Sequence, residues 1–100
     1  MACDLPGTNL AEEDLDGVDL ERANLQSADL EGVDLHEANL KGTNFHSANL
    51  KNADLRESDL YLADFTNADL TGARLEGALV DSTNFTGTVG LNLEGVIQEE

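Results

Sequence analysis

The sequence predicts an all-β coil in which the chain changes direction once every five residues. From Leu5 to Phe85 every fifth residue is Leu, Phe or Val, which gives 17 consecutive units around a central apolar position. On a helix these central residues would spiral around all sides, and on one long strand they would alternate between two faces. Only a chain that bends in each unit, always toward the same side, places all of them in one interior.

The positions around each central residue have the composition that such a coil requires. A small residue lies two places before the centre in every unit except the one with Glu13, and Asp or Asn directly precedes the centre in all but two units. Gly lies two places after the centre in seven units, and Gly tolerates tight turns. Asp and Asn side chains can bond backbone N–H groups at a bend, so each unit is expected to end in a turn.

Three phenylalanines indicate how many units complete one circuit. Phe45, Phe65 and Phe85 lie 20 residues apart, so a coil with four sides of five residues would stack the three rings. Adjacent coils would be about 4.8 Å apart, which is the usual spacing of paired strands. The sequence therefore predicts roughly four coils, held by backbone hydrogen bonds between coils and by a filled apolar interior.

Composition excludes several classes of function. The 21 acids against five bases give a formal net charge of -16, which argues against direct binding to nucleic acid or to an anionic membrane. No apolar stretch is long enough for a transmembrane helix, and no signal peptide is recognisable, so a cytoplasmic location is expected. Cys3 is the only cysteine, which rules out an internal disulfide.

The repeated motif identifies a resemblance. Units such as "ANLKN", "ADLRE" and "ADLTG" resemble those of the pentapeptide-repeat family, and the pattern covers residues 3 to about 87. The resemblance implies a right-handed quadrilateral β-helix and a source that is bacterial, often cyanobacterial. It also implies no known biochemical activity for most members. One subset of the family consists of acidic dimeric DNA mimics that bind DNA gyrase, but those rods are longer and carry inserted loops that this chain lacks.

Breaks in the pattern mark candidate functional features. Glu13 is an acid in the small inward position, and because burying an unpaired carboxylate is costly, we expect it to reach the open end of the first coil. Tyr61 and Leu62 occupy outward positions that are normally polar, and Leu79 lies one coil above Asp59 in place of Asp or Asn. Tyr61, Leu62 and Leu79 are predicted to form a small exposed apolar patch, either a protein contact or a chance surface feature.

The register fails after Phe85, because the next central residue would be Gly90. We therefore divide the chain into a β-helix, residues 1–88, and a C-terminal capping tail, residues 89–100. The apolar residues of "TVGLNLEGVIQEE" could cap the last coil or form a dimer contact. The N-terminal coil is in register from Cys3 without such a cap, so we expect a monomer or a weak dimer through the coil ends.

The sequence shows no set of residues for catalysis, and we expect no cofactor and no metal. His36 and His46 lie ten residues apart, which places them on opposite faces of a four-sided coil as surface residues. Stacked acids could attract a cation, but backbone hydrogen bonds explain acids in this position equally well. The column concerned contains Asp14, Asp34, Asp54 and then Arg74.

Two functional hypotheses follow. The first is a non-enzymatic scaffold or protein–protein interaction module, supported by the near-complete repeat, with a protein partner that the sequence does not identify. The alternative is an acidic DNA mimic that binds DNA gyrase or another DNA-binding protein, supported by the net charge. Residues 41 to 60 carry three acids and three bases, and this neutral middle coil counts against mimicry.

Overall fold

A computed structural model describes residues 3–99, and these residues form a four-sided parallel β-coil. Each side contributes one bridging residue, which is the Asp or Asn before the centre except at Arg74, Leu79, Val89 and Ile97. The strands are therefore isolated bridges, and no longer strand or helix occurs within residues 3–99. The bridges run from Asp4↔Asn24 to Asp69↔Val89, and each joins residues 20 positions apart. The predicted circuit of four five-residue units is thereby confirmed.

The turns follow from the residues after each centre. The residue two places after the centre has positive φ in every unit of the repeat, whether it is a glycine or, as in Asn52, a side-chain-bearing residue. The Asp or Asn before the centre stabilises the same corner, for example where Asp34 Oδ1 accepts the His36 N–H at 3.0 Å. Between coils, the N–H of the central residue donates upward, as from Leu50 to the Asp69 carbonyl at 2.8 Å.

The interior is filled by the central and small residues of the repeat. The central leucines from Leu25 to Leu75 are at most 1% exposed, and the rings of Phe45 and Phe65 stack at 4.6 Å between centroids. The Phe65 and Phe85 rings stack at 5.4 Å, as the 20-residue spacing predicted. Thr43 is buried, but its hydroxyl donates to the Leu20 carbonyl, so it adds no unpaired polar atom to the core.

The tail leaves the five-residue register at Gly90, and the next unit begins two residues earlier than that register would place it. Gly90 turns the chain at φ +72, and the approach is so close that a Cβ there would lie 2.6 Å from the Thr71 Cα. "LNLEG" at residues 91–95 then forms another unit, and Ile97 bridges to Leu79 across 18 positions. Leu91 and Val96 pack against the core, so residues 91–97 lie over the last full coil. The division of the chain at residue 88 remains a prediction.

Within residues 3–99 no layer lies below the first coil. Leu5, Leu10 and Leu15 are only partly buried, whereas their equivalents in the second to fourth coils are fully buried. Glu13 is exposed at this end, as its charge predicted. In later coils the N–H of the bridging residue donates downward, as from Asn24 to the Cys3 carbonyl at 2.7 Å, but for Asn9 the described chain provides no lower coil.

Candidate interaction surface

The 20-residue register sorts the outward side chains into four faces with different chemistry. The first face is centred on Leu5, Leu25, Phe45, Phe65 and Phe85 and is mainly polar and uncharged. The third face is centred on Leu15, Leu35, Leu55, Leu75 and Leu93, and the fourth face on Leu20, Leu40, Leu60 and Val80. The third and fourth faces hold the two features that could recognise another molecule.

The fourth face carries the predicted apolar patch. Tyr61 is 44% exposed and Leu62 is 55% exposed, and Leu79 is half-buried one coil above, where it bridges to Asp59. The structure therefore places all three predicted residues on one face. It adds Ile97, which is 44% exposed and bridges to Leu79. The sequence pattern missed Ile97 because the two-residue shift at Gly90 hides its column.

Leu62 is unusual in its backbone as well as in its exposure. Its φ is +62, and it is the only apolar residue among the ten non-glycine residues that have positive φ in residues 3–99. Left-handed conformations disfavour residues with large side chains, and Asn and Gly occupy them at lower cost. A leucine here therefore carries a local conformational cost without the compensation of burial.

A shallow depression of about 130 Å³ lies below this patch. Its lining combines acidic, basic and apolar side chains and consists of Glu21, Arg22, Lys41, Gly42, Tyr61 and Leu62. Gly42 lies one coil below Leu62 and has no side chain, which leaves the space open. Lys41 Nζ lies 3.7 Å from Asp59 Oδ2, so its charge is directed toward the edge of the patch. The depression extends the apolar patch into a surface with a polar border.

The third face carries the largest share of the excess charge. Within the units of this face nine acids oppose Arg56 and Arg74, a net charge of -7, whereas the first face carries only Asp4 and Asp64. The predicted column is confirmed, because Asp34 bridges to Asp54 and the latter bridges to Arg74. The carboxylates of the column accept backbone N–H groups, which accounts for them structurally.

His36 also lies on the third face, and its surroundings were missed from the sequence. Its Nε2 lies 2.8 Å from Glu57 Oε1, and its Nδ1 lies 3.3 Å from Asp16 Oδ1 and 3.4 Å from Glu37 Oε1. The hydrogen bond to Glu57 is the largest cause of a raised pKa for His36, partial burial opposes it, and Asp16 and Glu37 contribute further. Glu57 was not anticipated because it lies one position away from the His36 column. The ring of His46, by contrast, forms a hydrogen bond within residues 3–99 only with the hydroxyl of its neighbour Ser47.

This coil is similar to the solved structures of other proteins. A family model for pentapeptide repeats matches eight copies in residues 2–32 and 48–87. HetL, a pentapeptide repeat protein involved in heterocyst differentiation regulation from the cyanobacterium Nostoc sp. strain PCC 7120, is 32% identical with a TM-score of 0.89. A pentapeptide repeat protein of the Arabidopsis thaliana thylakoid lumen is 34% identical with a TM-score of 0.82. These matches confirm the right-handed quadrilateral β-helix.

The chain is shorter than these structures. The match to HetL includes 98% of this chain but only 48% of HetL. The match to the Arabidopsis protein includes 93% of this chain and 63% of that protein. QnrB1, a plasmid-mediated fluoroquinolone resistance protein, is 21% identical with a TM-score of 0.64 and covers 97% of this chain, which spans 57% of it. At that identity the likeness concerns the fold alone. A comparison with curated protein sequences found no match.

Proposed function

This chain belongs to the pentapeptide-repeat family, and we propose that it acts without catalysis, as a rigid module that presents one face to a protein partner. The single observation that carries the proposal is the exposed patch of Tyr61, Leu62 and Leu79 on the fourth face. A filled interior provides no cleft for a substrate, so recognition is left to the outer surface. We propose a cytoplasmic location with this function.

The chemistry of the fourth face specifies the kind of partner. An apolar centre of Tyr, Leu and Ile side chains supplies the desolvated contact that dominates most protein interfaces. Four acids and two bases lie in the four units of this face, within a chain of net charge -16. A folded protein with an apolar contact surrounded by basic residues fits this arrangement, because opposite charges accelerate encounter and select the partner.

The test compares two double variants that change the same positions on different faces. Tyr61→Thr with Leu62→Asn removes the patch, and His46→Thr with Ser47→Asn changes the equivalent positions on the first face. Both positions Leu62 and Ser47 have positive φ, so neither variant introduces a residue that the backbone disfavours. Each protein is used to capture partners from extract of the source cell, and each captured protein is then purified and titrated by calorimetry.

The proposal expects one protein that binds the wild type and the first-face variant but loses at least about tenfold in affinity for the Tyr61/Leu62 variant. An identical set of partners and equal affinities for all three chains would refute the fourth face as the contact. Retention on the Tyr61/Leu62 variant with loss on the first-face variant would assign recognition to the adjoining first face.

A second function, an acidic DNA mimic that binds DNA gyrase, is favoured by one observation. The third face has a net charge of -7, so the acid is concentrated on one continuous surface rather than spread evenly. A supercoiling assay separates the two functions. Inhibition or protection of gyrase at micromolar protein would support mimicry, and unchanged supercoiling would remove it without affecting the fourth-face proposal.

A further inference from the structure

The acids around His36 are arranged like the ligands and supports of a metal ion. Asp16, His36 and Glu37 each offer one ligand atom, and these three atoms lie within 4.8 Å of one another. The two separations from His36 Nδ1 are 3.3 Å and 3.4 Å. Ligand atoms at the usual distances from a tetrahedral Zn²⁺ are about 3.4 Å apart, so both separations fit an edge of that geometry.

The second ring nitrogen supplies an observation of a different kind. Glu57 Oε1 lies 2.8 Å from His36 Nε2, on the side of the ring away from Asp16 and Glu37. Metal-binding histidines nearly always donate their other N–H to a carboxylate or carbonyl, which fixes the ring and makes the ligating nitrogen more basic. Glu57 occupies the position of such a support.

The His36 ring lies between three carboxylates. A neutral imidazole has one N–H, and with that N–H directed to Glu57 the lone pair of Nδ1 faces two carboxylates. Carboxylate oxygens and a nitrogen lone pair at these distances repel one another, and either a proton on Nδ1 or a metal ion between them removes the repulsion. The geometry therefore offers a cation position on the Nδ1 side, which a metal ion can take in place of a proton.

Neighbouring bases do not supply that cation. Arg56 lies directly above His36 in the same column, but its Nε and Nη2 donate to Asp54 at 2.9 Å and 2.8 Å. The guanidinium charge is thereby paired with a different carboxylate. The backbone beneath the site is held by the coil, since Gly17 N–H donates to the His36 carbonyl at 2.9 Å.

We propose that Asp16, His36 and Glu37 bind one divalent transition-metal ion, with His36 Nδ1 as the nitrogen ligand and Glu57 as the residue that positions the ring. One nitrogen with two carboxylates suits Zn²⁺ and its neighbours in the first transition series, whereas Ca²⁺ and Mg²⁺ prefer oxygen ligands alone. Water completes the coordination, because the three residues lie at the surface of the third face.

The test is calorimetric titration of the full chain with Zn²⁺ at pH 7.5, without a histidine tag and on a Cys3→Ser background. The substitution removes the one thiolate that could bind zinc elsewhere. We expect one ion per chain. Asp16→Asn, His36→Gln and Glu37→Gln should each weaken binding at least about tenfold, and Glu57→Gln about tenfold through the loss of ring positioning.

His46→Gln is the matched control, because His46 occupies the same position within its unit and lacks acids around its ring. Its Zn²⁺ affinity should equal that of the parent chain. A second readout is the ¹⁵N shift of His36 Nδ1, which should move on addition of Zn²⁺ and should stay unchanged with Mg²⁺. A role for Glu57 in ring positioning also predicts that Glu57→Asp partly restores the affinity lost in Glu57→Gln.

Three results would overturn the site. The first is no saturable heat with Zn²⁺ up to about 0.1 mM, the range expected for a functional surface site. The second is equal loss of affinity in the His36 and His46 variants, which would indicate nonspecific histidine binding. The third is tighter binding of Ca²⁺ than of Zn²⁺, which would indicate attraction to acid alone.

Discussion

The two ends of the coil are completed differently. At the N-terminal end the central residues Leu5, Leu10 and Leu15 are only partly buried and the lower backbone edge has no partner coil in the described chain. At the C-terminal end Leu70 and Leu75 are 0% and 1% exposed, because the tail supplies one more layer. Leucines at the same position of the repeat are therefore buried to very different extents at the two ends.

This difference in burial shows that a unit of the coil is stabilised by the neighbouring coils rather than by its own sequence. Each five-residue unit contributes one apolar side chain and a few backbone hydrogen bonds, and both need a coil above and a coil below. Residues 1 to 20 also carry six acids and no base, which further weakens the open end and opposes stacking of two such ends. The covered end should accordingly be the more stable part.

The largest expected effect compares one substitution in two layers. Leu50→Ala removes a central side chain that is fully buried, and Leu10→Ala removes its partly buried equivalent two coils below. We expect losses of about 3 kcal/mol and about 1 kcal/mol in the free energy of unfolding, because both the lost burial and the residual cavity are smaller at the open end. Urea denaturation followed by circular dichroism measures both. Equal losses would show that the first coil is as well covered as the third.

The next-largest effect tests the turn at Gly90, which lets the tail cover the C-terminal end of the coil. Gly90→Ala places a Cβ 2.5 Å from Thr71 Oγ1, and Gly7→Ala at the open end meets no atom within 4 Å. Both positions have positive φ, so both lose about 1 kcal/mol from backbone strain. Only Gly90→Ala adds overpacking, for a total loss of about 2–3 kcal/mol in unfolding free energy. Similar melting temperatures for the two variants would argue that the tail is not held closely at this corner.

Much of this fold was predictable because one period determines it. The interior columns, the bridges between residues 20 positions apart and the phenylalanine stack all follow from counting in fives. That the tail could cap the last coil was one of two predictions, but its return to the repeat pattern was not predicted, since a two-residue shift at Gly90 breaks the count before "LNLEG" restores it. A local search for the unit pattern, independent of register, would have found it.

The candidate sites divide in the same way. Tyr61, Leu62 and Leu79 could be predicted to share a face, because their positions follow from the repeat alone. The surroundings of His36 could not, because they depend on side-chain direction: Glu57 reaches across from the adjoining column, and Arg56 turns away toward Asp54. Column counting gives the neighbours of a backbone position but not the contacts of long side chains.

A smaller effect concerns the pH dependence of one column that runs from the open end to the covered end. In one column, Asn9 at the open end accepts the Ala11 N–H, whereas Asp69 at the covered end accepts both the N–H and the hydroxyl of Thr71. The Thr71 hydroxyl is the first cause of the lowered pKa of Asp69. A lowered pKa means that the ionised carboxylate stabilises the fold above the ordinary aspartate value of 3.8, and that this stability is lost as pH falls through the lower pKa of the folded state.

Asp69→Asn should therefore cost under about 1 kcal/mol of unfolding free energy at pH 7, since the group is exposed and screened. The difference from wild type should shrink as pH falls below about 4. Thr71→Ala provides the control, because it removes the hydroxyl and leaves the backbone N–H. Urea midpoints between pH 7 and pH 3 give the measurement, and a difference that grows on acidification would contradict the assigned sign.

The smallest effect lies between the ends and has the opposite sign. Leu62→Asn should raise the free energy of unfolding by about 0.5 kcal/mol, because Asn accepts positive φ more readily and little burial is lost from a side chain that is 55% exposed. Asn52→Leu, at the same position two units earlier and with φ +60, should lower it by a similar amount. If Leu62→Asn instead destabilises the chain, Leu62 serves the packing of the coil and the fourth-face contact loses its main support. If it stabilises the chain, the leucine is retained at a cost to folding, which is the behaviour expected of a residue that binds a partner.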